Sequence, residues 1–243
     1  MISVKNISVM NLENAIRGMR NPLESWGESD SFVQEGSNTF VMGPKDMALA
    51  LKLIRAGSDH SKFMRQIFVS MDITAPMSWW WDMDTYKVAT VKNSTSRMHK
   101  LGTRLLTVHD FSYDNEDGEY NMTPFRQYVL DDLNRRILEY QQLKETDPKA
   151  AKALWREIIF DSPQNYNFLS TWTGSYENLR NVRHNRNNHK QREFPDFCRI
   201  IDELAYSELI RAGSNRKKAN CNYLERGHHH EPDTTKPFEN FNI

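Results

Sequence analysis

Residues 66–75 (QIFVSMDITA) constrain the fold most, because their apolar residues recur at every second position. Ile67, Val69, Met71 and Ile73 fall on one face, a pattern typical of a half-buried β-strand, and Pro76 closes the segment. Two further segments favour strands: the first ten residues, which alternate weakly, and residues 166–174 (YNFLSTWTG), which are rich in aromatic and β-branched residues.

Helical periodicity dominates the rest of the chain, and it is strongest after Pro124. We predict helices at 12–20, 44–56 with a stop at Gly57, 77–84, 86–99, 124–147, 149–160, 175–187 and 194–211. Strands and helices mixed without a regular βαβ rhythm indicate an α+β fold, with a small central antiparallel or mixed sheet packed by several helices. We expect one domain over 1–212 and an irregular tail over 213–243, which includes the His228–His230 run.

The composition excludes several classes of function. Lys plus Arg and Asp plus Glu both number 32, so no overall field attracts nucleic acid or an anionic membrane, and any anion site must be a local cluster. Cys198 and Cys221 fit neither a disulfide framework nor a metal site, and no HExxH, CxxC, GxSxG, Walker or GxGxxG motif occurs. No apolar run approaches the ~18 residues of a membrane span, and the first ten residues lack the apolar run of a signal peptide, so we expect a cytoplasmic protein without a metal.

A local cluster of cations lies between residues 180 and 192. On a helix over 175–187, Tyr176, Leu179 and Val182 would form a thin apolar stripe. Arg180, Arg183 and Arg186 recur every three residues and would lie along another side of the same helix. Like charges at this spacing repel each other. Either carboxylates elsewhere in the protein pair with these arginines, or the arginines bind an anionic ligand that also has a hydrogen-bonding ring.

Residues 79–100 (WWWDMDTYKVATVKNSTSRMHK) contain a second candidate site. Thr95 and Ser96 end a run of hydroxyl side chains and are followed by Arg97. These residues could bind a phosphate, or they could simply cap a helix. The three consecutive tryptophans could stack on a flat ring, or they could be shared between core and surface. His60 lies just past a predicted helix end, where a loop histidine is the simpler interpretation.

The order of these features resembles the flavin-dependent thymidylate synthases (ThyX), in particular a divergent branch found in phages and Firmicutes. The family pattern is W-T-x-N-x-R-x-L-x-N-F-L-x-L-R, a short gap, and H-A-Q-x-E. This chain has Trp172-Thr173, Leu179, Asn181 and Arg186, and then HKQRE from His189 to Glu193, in register apart from one missing residue. Trp155-Arg156-Glu157-Ile158-Ile159 is similar to the segment of the family whose arginine meets the substrate phosphate.

The resemblance implies a ThyX-like fold, FAD as cofactor and a homotetramer with the site at subunit junctions. It places Arg186, Arg156 and Arg97 on the nucleotide. It places His60, Asn181, His189 and Gln191 on the flavin. Ser175 and Glu177 stand where the family usually has Asn and Arg.

The signature motif of the family is Arg-His-Arg, seven residues, then Ser, a small residue and Arg, and this chain departs from it. Two alignments are possible: Thr85-Tyr86-Lys87 with Thr95, or Tyr86-Lys87-Val88 with Ser96. We assign Tyr86 to the cofactor and Lys87, Thr95 and Ser96 to the substrate. Neither alignment keeps the leading arginines. Lysine carries a point charge and cannot replace two guanidinium groups, each of which can bind an anion through two N–H groups.

The activity implied by the resemblance is methylation of dUMP to dTMP, with methylenetetrahydrofolate as carbon donor and a reduced nicotinamide as reductant. No protein nucleophile is needed. The altered motif leaves two alternatives open, which are a different pyrimidine nucleotide as substrate and a non-catalytic nucleotide- or flavin-binding homologue. A nucleic-acid-binding protein is disfavoured by the zero net charge.

Overall fold

The computed structural model describes residues 2–115 and 118–213. The strands in this part of the chain are β1 (Ser3–Met10), β2 (Phe32–Gln34), β3 (Thr39–Val41), β4 (Phe68–Pro76), β5 (Val91–Ser94) and β6 (Asn167–Ser175). The helices are α1 (Leu12–Gly18), α2 (Pro44–Ala56), α3 (Met77–Met83), α4 (Arg97–Lys100), α5 (Pro124–Thr146), α6 (Pro148–Phe160), α7 (Tyr176–Arg186), α8 (Glu193–Asp202) and α9 (Glu208–Arg211).

The central sheet has four antiparallel strands in the order β1-β4-β6-β5, and β2 and β3 form a separate hairpin. The predicted alternation of β4 is confirmed, since Val69, Met71 and Ile73 are buried on one face. They belong to a core that also includes residues of α2, α3, α7, α8 and α9. The prediction of an α+β fold with a small, helix-packed sheet is therefore confirmed.

A second apolar cluster joins α5 and α6 to the segment 101–113, and Phe168 of β6 packs against both clusters. α5 begins as the sequence predicts, because Pro124 occupies the first turn and the Thr123 hydroxyl accepts a hydrogen bond from Arg126 N. Asp147 then ends α5 and caps α6 through Lys149 N and Ala150 N. Helices α5 and α6, which meet at Asp147, thus form one side of the second cluster.

The helix predicted over 86–99 is wrong. Residues Val91–Ser94 form β5, which pairs with Thr173–Ser170 of β6, and only Arg97–Lys100 are helical. Backbone pairing along the free edge of β6 outweighs the weak helical periodicity of this segment.

The helix predicted over 194–211 is interrupted between α8 and α9. Tyr206 has φ +55°, which is incompatible with an α-helix, and its hydroxyl donates to Phe40 O (3.1 Å) and accepts from Met42 N (2.9 Å). These bonds attach the β2–β3 hairpin, which the sequence analysis did not predict, to the connection between α8 and α9. The predicted tail, apart from Gly213, lies outside the described residues, and the single-domain boundary at 212 stays a prediction.

Candidate functional site

The N-terminal cap of α7 fixes the residue at which the helix begins, and therefore which of its side chains share a face. Asn178 N donates to Ser175 Oγ (3.3 Å) and Ser175 N donates to Asn178 Oδ1 (2.9 Å), so the two residues cap the first turn reciprocally. Tyr176, Leu179 and Val182 are fully buried, as the predicted stripe requires. Asn178 Nδ2 also donates to the Val88 carbonyl (2.9 Å), and this bond holds the segment after Tyr86 against α7.

Protein groups balance two of the three arginines of α7. Arg183 forms a two-point ion pair with Asp202, at 2.6 and 3.0 Å. Arg180 is buried, and its Nε donates to the Ala212 carbonyl at 3.1 Å, with Glu177 at 4.0 Å. The repulsion between these arginines therefore does not itself require an anionic ligand, and only Arg186 turns toward the predicted site residues.

The Arg186 cluster consists of Asp82, Tyr86, Arg186 and His189. Arg186 Nε donates to Tyr86 Oη (3.2 Å), and its Nη1 lies 3.2 Å from Asp82 Oδ2 and 2.7 Å from His189 Nε2. The guanidinium carbon also lies 5.0 Å from the centroid of the buried Phe194 ring. Of the side chains that the sequence analysis selected, Tyr86 thus contacts Arg186 across 100 residues of sequence, and Arg186 also contacts His189, three residues later.

The Arg186 cluster contains more hydrogen-bond donors than acceptors. Arg186 Nη1 faces His189 Nε2, while Gln191 N faces His189 Nδ1 at 3.2 Å. Both of these neighbours can only donate, whereas a neutral imidazole has one acceptor nitrogen and an imidazolium has none. The two contacts cannot both be hydrogen bonds in one tautomer, so one of these two donors has no acceptor on His189, and an acceptor-rich ligand beside Arg186 could take its place.

Helix α3 supplies the opposite wall of the Arg186 cluster. Ser78 and Asp82 lie four residues apart and share a face, and Gln191 Nε2 donates to Ser78 Oγ (3.1 Å). Trp79 and Trp80 are buried on the other face, whereas Trp81 is half exposed. The sequence analysis missed Ser78 and Asp82. Their spacing on a helix whose intervening residues are apolar was the one available signal.

A second group, Thr95, Ser96 and Arg97, lies where β5 leaves the sheet. Thr95 N donates to Leu169 O (2.9 Å), while Arg97 Nη1 contacts Ser162 Oγ (3.3 Å) and Met77 Sδ (2.8 Å). Within residues 2–115 and 118–213, no carboxylate forms a salt bridge with Arg97. Among these residues, the Arg97 guanidinium therefore contacts weak, uncharged acceptors and no carboxylate.

The first turn of α3 separates the two groups, because Met77 contacts Arg97 and the next residue, Ser78, contacts Gln191. The charge of Arg97 also reaches Tyr166, where burial and Asp110 raise the pKa of the phenol and Arg97 and Arg104 oppose that rise. The two groups thus lie on either side of a single helical turn.

Four predicted site residues have no hydrogen bond, ion pair or ring contact with either group in the described part of the chain. Lys87 and Asn181 are exposed, and Arg156 is exposed with its guanidinium 5.1 Å from the Phe160 ring centroid. His60 is exposed and borders a separate cavity of about 830 Å³ beside α1 and α2. Within one chain, these residues do not join the Arg186 cluster.

The described residues contain no thiol poised for nucleophilic chemistry. Cys198 is buried, and burial raises the pKa of its thiol to about 11, so it stays protonated at neutral pH. Cys221 lies outside the described residues. The described helices include none that is both long and apolar enough to cross a bilayer, and no cluster of metal-ligating side chains occurs among the same residues.

No protein-family model and no curated protein matches this sequence. Solved structures do match it. Thymidylate synthase X (ThyX) from Helicobacter pylori, crystallised with FAD and dUMP, superimposes with a TM-score of 0.62 over 87% of this chain and 97% of that one, at 15% identity. A second structure of the flavin-dependent ThyX from Helicobacter pylori, also complexed with FAD and dUMP, gives a TM-score of 0.59 over 86% and 97%, at 14% identity.

The chain has the ThyX fold. The expectation drawn from the HKQRE segment and Arg186 is confirmed at the level of fold. The match covers nearly the whole length of both ThyX chains, so the sheet, α7 and both groups of candidate residues belong to one ThyX-like architecture.

Proposed function

We propose that this protein is a flavin-dependent enzyme that methylates dUMP to dTMP, with FAD, methylenetetrahydrofolate and a reduced nicotinamide. The observation that carries the proposal is the excess of donors around Arg186, on a fold whose solved neighbours bind FAD and dUMP. We also place the chain in the divergent phage and Firmicutes-type branch, on the Asp84–Val88 sequence DTYKV. The proposed substrates imply a cytoplasmic location.

The residues of the Arg186 cluster fit a flavin. An isoalloxazine ring presents carbonyl oxygens and ring nitrogens along one edge, and the remaining N–H groups of the Arg186 guanidinium and of the Gln191 side-chain amide could donate to such an edge. Trp81, next to Asp82 in sequence and half exposed, offers an aromatic face on the same helix as Asp82. When bound, FAD would supply the hydride chemistry, and the protein would bind, orient and shield the reacting groups.

We assign the phosphate group of the bound nucleotide to Arg97. This guanidinium has no carboxylate partner among the described residues, whereas that of Arg186 already contacts Asp82 at 3.2 Å. An anion therefore gains more from Arg97, and Thr95 and Ser96 lie directly before it. We assign Arg156 and Lys87 to the same phosphate and Arg186 to the uracil edge, where its positive charge would favour electron density on the ring.

We propose that the complete site forms between subunits of a homotetramer. Three strongly exposed apolar side chains lie close in sequence to Asp82 and Tyr86 of the Arg186 cluster, namely Trp81 (53% exposed), Val88 (80%) and Val91 (71%). Surfaces of this kind favour association. Packing against a second chain would cover them and would bring His60, Asn181 and Arg156 of neighbouring subunits toward a shared site.

The absence of the signature arginines favours a second candidate, a ThyX-like enzyme on another pyrimidine nucleotide or a non-catalytic binding homologue. Lys87 is exposed and forms no ion pair with a described carboxylate, and Asp82 occupies part of the Arg186 fork. A site with one lysine ammonium in place of two arginine guanidinium groups would bind a nucleotide with a different geometry.

The test begins with the absorbance of the purified protein, because bound FAD gives a flavin spectrum. Tritium release from dUMP labelled at carbon 5, with reduced nicotinamide and methylenetetrahydrofolate present, then measures turnover. Flavin binding with turnover supports the thymidylate synthase. Flavin binding with release from another labelled pyrimidine nucleotide only, or with no release, supports the second candidate. A protein that binds neither FAD nor a pyrimidine nucleotide and elutes as a monomer in size-exclusion chromatography refutes both.

A further inference from the structure

A cavity of about 390 Å³ lies between the α4 segment and the α5–α6 pair. It shares no residue with the Arg186 cluster or with the Thr95–Arg97 group. Its walls include His99, Gly102, Tyr140, Gln141, Lys144 and Trp155. Two aromatic rings and two groups that can carry positive charge therefore line one concave surface.

The walls of this cavity are fixed by contacts within the protein. Gln141 Nε2 donates to the Gly102 carbonyl (3.0 Å) and attaches the loop after α4 to α5. Gly102 has φ +93°, and a Cβ there would lie 3.3 Å from the Tyr140 ring, so the absence of a side chain leaves the ring open to the cavity. Tyr140 and Trp155 pack against the buried cluster of α5 and α6. A ligand would thus meet a pre-formed surface.

The charge of the cavity is one-sided. Lys144 Nζ lies 5.9 Å from the centroid of the Tyr140 ring, and no described carboxylate forms a salt bridge with it. No aspartate or glutamate is among the described residues that line the cavity. The cation and the aromatic face are therefore adjacent, and a ligand that offers both an anion and a ring would satisfy them together.

We propose that this cavity binds a small flat aromatic ring that carries a carboxylate or a phosphate. The ring lies between Tyr140 and Trp155, and the anion contacts Lys144 and His99. A volume of about 390 Å³ is at the small end of ligand pockets and holds one ring system rather than a dinucleotide. The site is therefore distinct from the proposed flavin site and does not depend on flavin chemistry.

The experiment titrates the full-length protein, without added flavin, with N-(4-aminobenzoyl)glutamate and with phenyl phosphate, by calorimetry. Neutral benzamide is the control probe. The side-chain indole NMR signals of the six tryptophans locate the ligand, and Trp155→Phe assigns the Trp155 signal. Lys144→Gln removes the cation. Lys149→Gln, at an exposed lysine of α6 outside the cavity, is the matched control variant.

We expect saturable binding of at least one anionic probe with a shift of the Trp155 signal. Lys144→Gln should weaken it about tenfold or more, the size of one charge-assisted hydrogen bond, and Lys149→Gln should leave it unchanged. The probe that binds more tightly identifies the anion as carboxylate or phosphate. Equal binding of benzamide, equal effects of the two lysine variants, or an unshifted Trp155 signal would overturn the proposal. The same titrations in Arg186→Ala should be unaltered, which separates this cavity from the proposed function.

Discussion

Two arginine–aspartate pairs in this protein have the same chemistry and opposite surroundings. Arg20 and Asp46 are 3% and 0% exposed, with Nε 2.6 Å from Oδ1. Arg186 and Asp82 are 21% and 40% exposed, with Nη1 3.2 Å from Oδ2. One pair is sealed within the fold and the other is open to solvent.

The sealed pair is also the satisfied one. Asp46 accepts hydrogen bonds from the hydroxyls of Ser29 and Ser31 (2.5 Å each) and from Ser31 N (3.2 Å), so its two oxygens have protein donors on every side. Among the described residues, the ion-pair partners of the Asp82 carboxylate are Arg186 and, at 3.8 Å, His189. The first pair therefore secures the loop between α1 and α2, while the second can exchange a partner with a ligand.

The largest effect is expected from Asp46→Asn. The amide would leave Arg20 buried without a counter-charge, and loss of one partner of a buried pair costs about 3–5 kcal/mol. Urea unfolding followed by circular dichroism measures this change in the free energy of unfolding. A loss no larger than that of Asp82→Asn would show that the two pairs are not different in kind.

The pH dependence of stability should also distinguish the sealed pair. Burial raises the pKa of Asp46, but the Ser29 and Ser31 hydroxyls and Arg20 outweigh it, and the pKa lies below its usual value. The stabilisation is therefore present above the unfolded pKa of about 3.9 and is lost as the pH falls through the folded value. Urea unfolding should show the gap between wild type and Asp46→Asn narrowing below about pH 4. A gap that stays constant between pH 5 and pH 3 would contradict this assignment.

Arg186→Ala should weaken ligand binding and leave the fold nearly intact, because it removes a partly exposed donor (21% exposed) and no core volume. Loss of a hydrogen bond from a charged group costs about 1.5–3 kcal/mol, so the affinity for FAD or dUMP should fall about tenfold or more. Fluorescence titration of FAD and calorimetry of dUMP measure it. Arg183→Ala is the matched control on the same helix, and it should lower stability without changing either affinity. Unchanged affinities in Arg186→Ala would remove this residue from the site.

The smallest change in stability is expected from Asp82→Asn, at most about 1 kcal/mol, because exposed ion pairs contribute little. The same variant should tighten the binding of dUMP, since the guanidinium of Arg186 loses a competing carboxylate. Urea unfolding and calorimetric titration provide the two values. Weaker dUMP binding would indicate that Asp82 instead orients Arg186 for the ligand.

Much of the fold could be predicted from short-range patterns. The alternation at 67–73 gave the buried face of β4, Pro44 and Gly57 marked the ends of α2, and Pro124 with Asp147 marked those of α5. Each of these features is decided by residues within one turn or one strand, so the sequence alone contains the information.

Other elements depend on partners that are distant along the chain. β5 is a strand because β6, about eighty residues later, offers it an edge, and Tyr206 breaks the last helix because Phe40 and Met42 bind its hydroxyl. The β2–β3 hairpin went unpredicted, and its described strands are only three residues long. Local periodicity contains no signal for such contacts.

The sequence determined which side chains were candidates, because its resemblance to the ThyX pattern singles out Tyr86, Arg186, His189 and Gln191. Only the tertiary structure decided which arginine of α7 lacks a two-point partner, since the side chains of Arg183 and Arg186 are both 21% exposed. Arg183 and Arg186 have the same chemistry and lie one helical turn apart, but Asp202 satisfies the first and Asp82 only partly satisfies the second. The reason is that electrostatic pairing depends on distances in space, and the fold sets those distances between residues that the sequence keeps far apart.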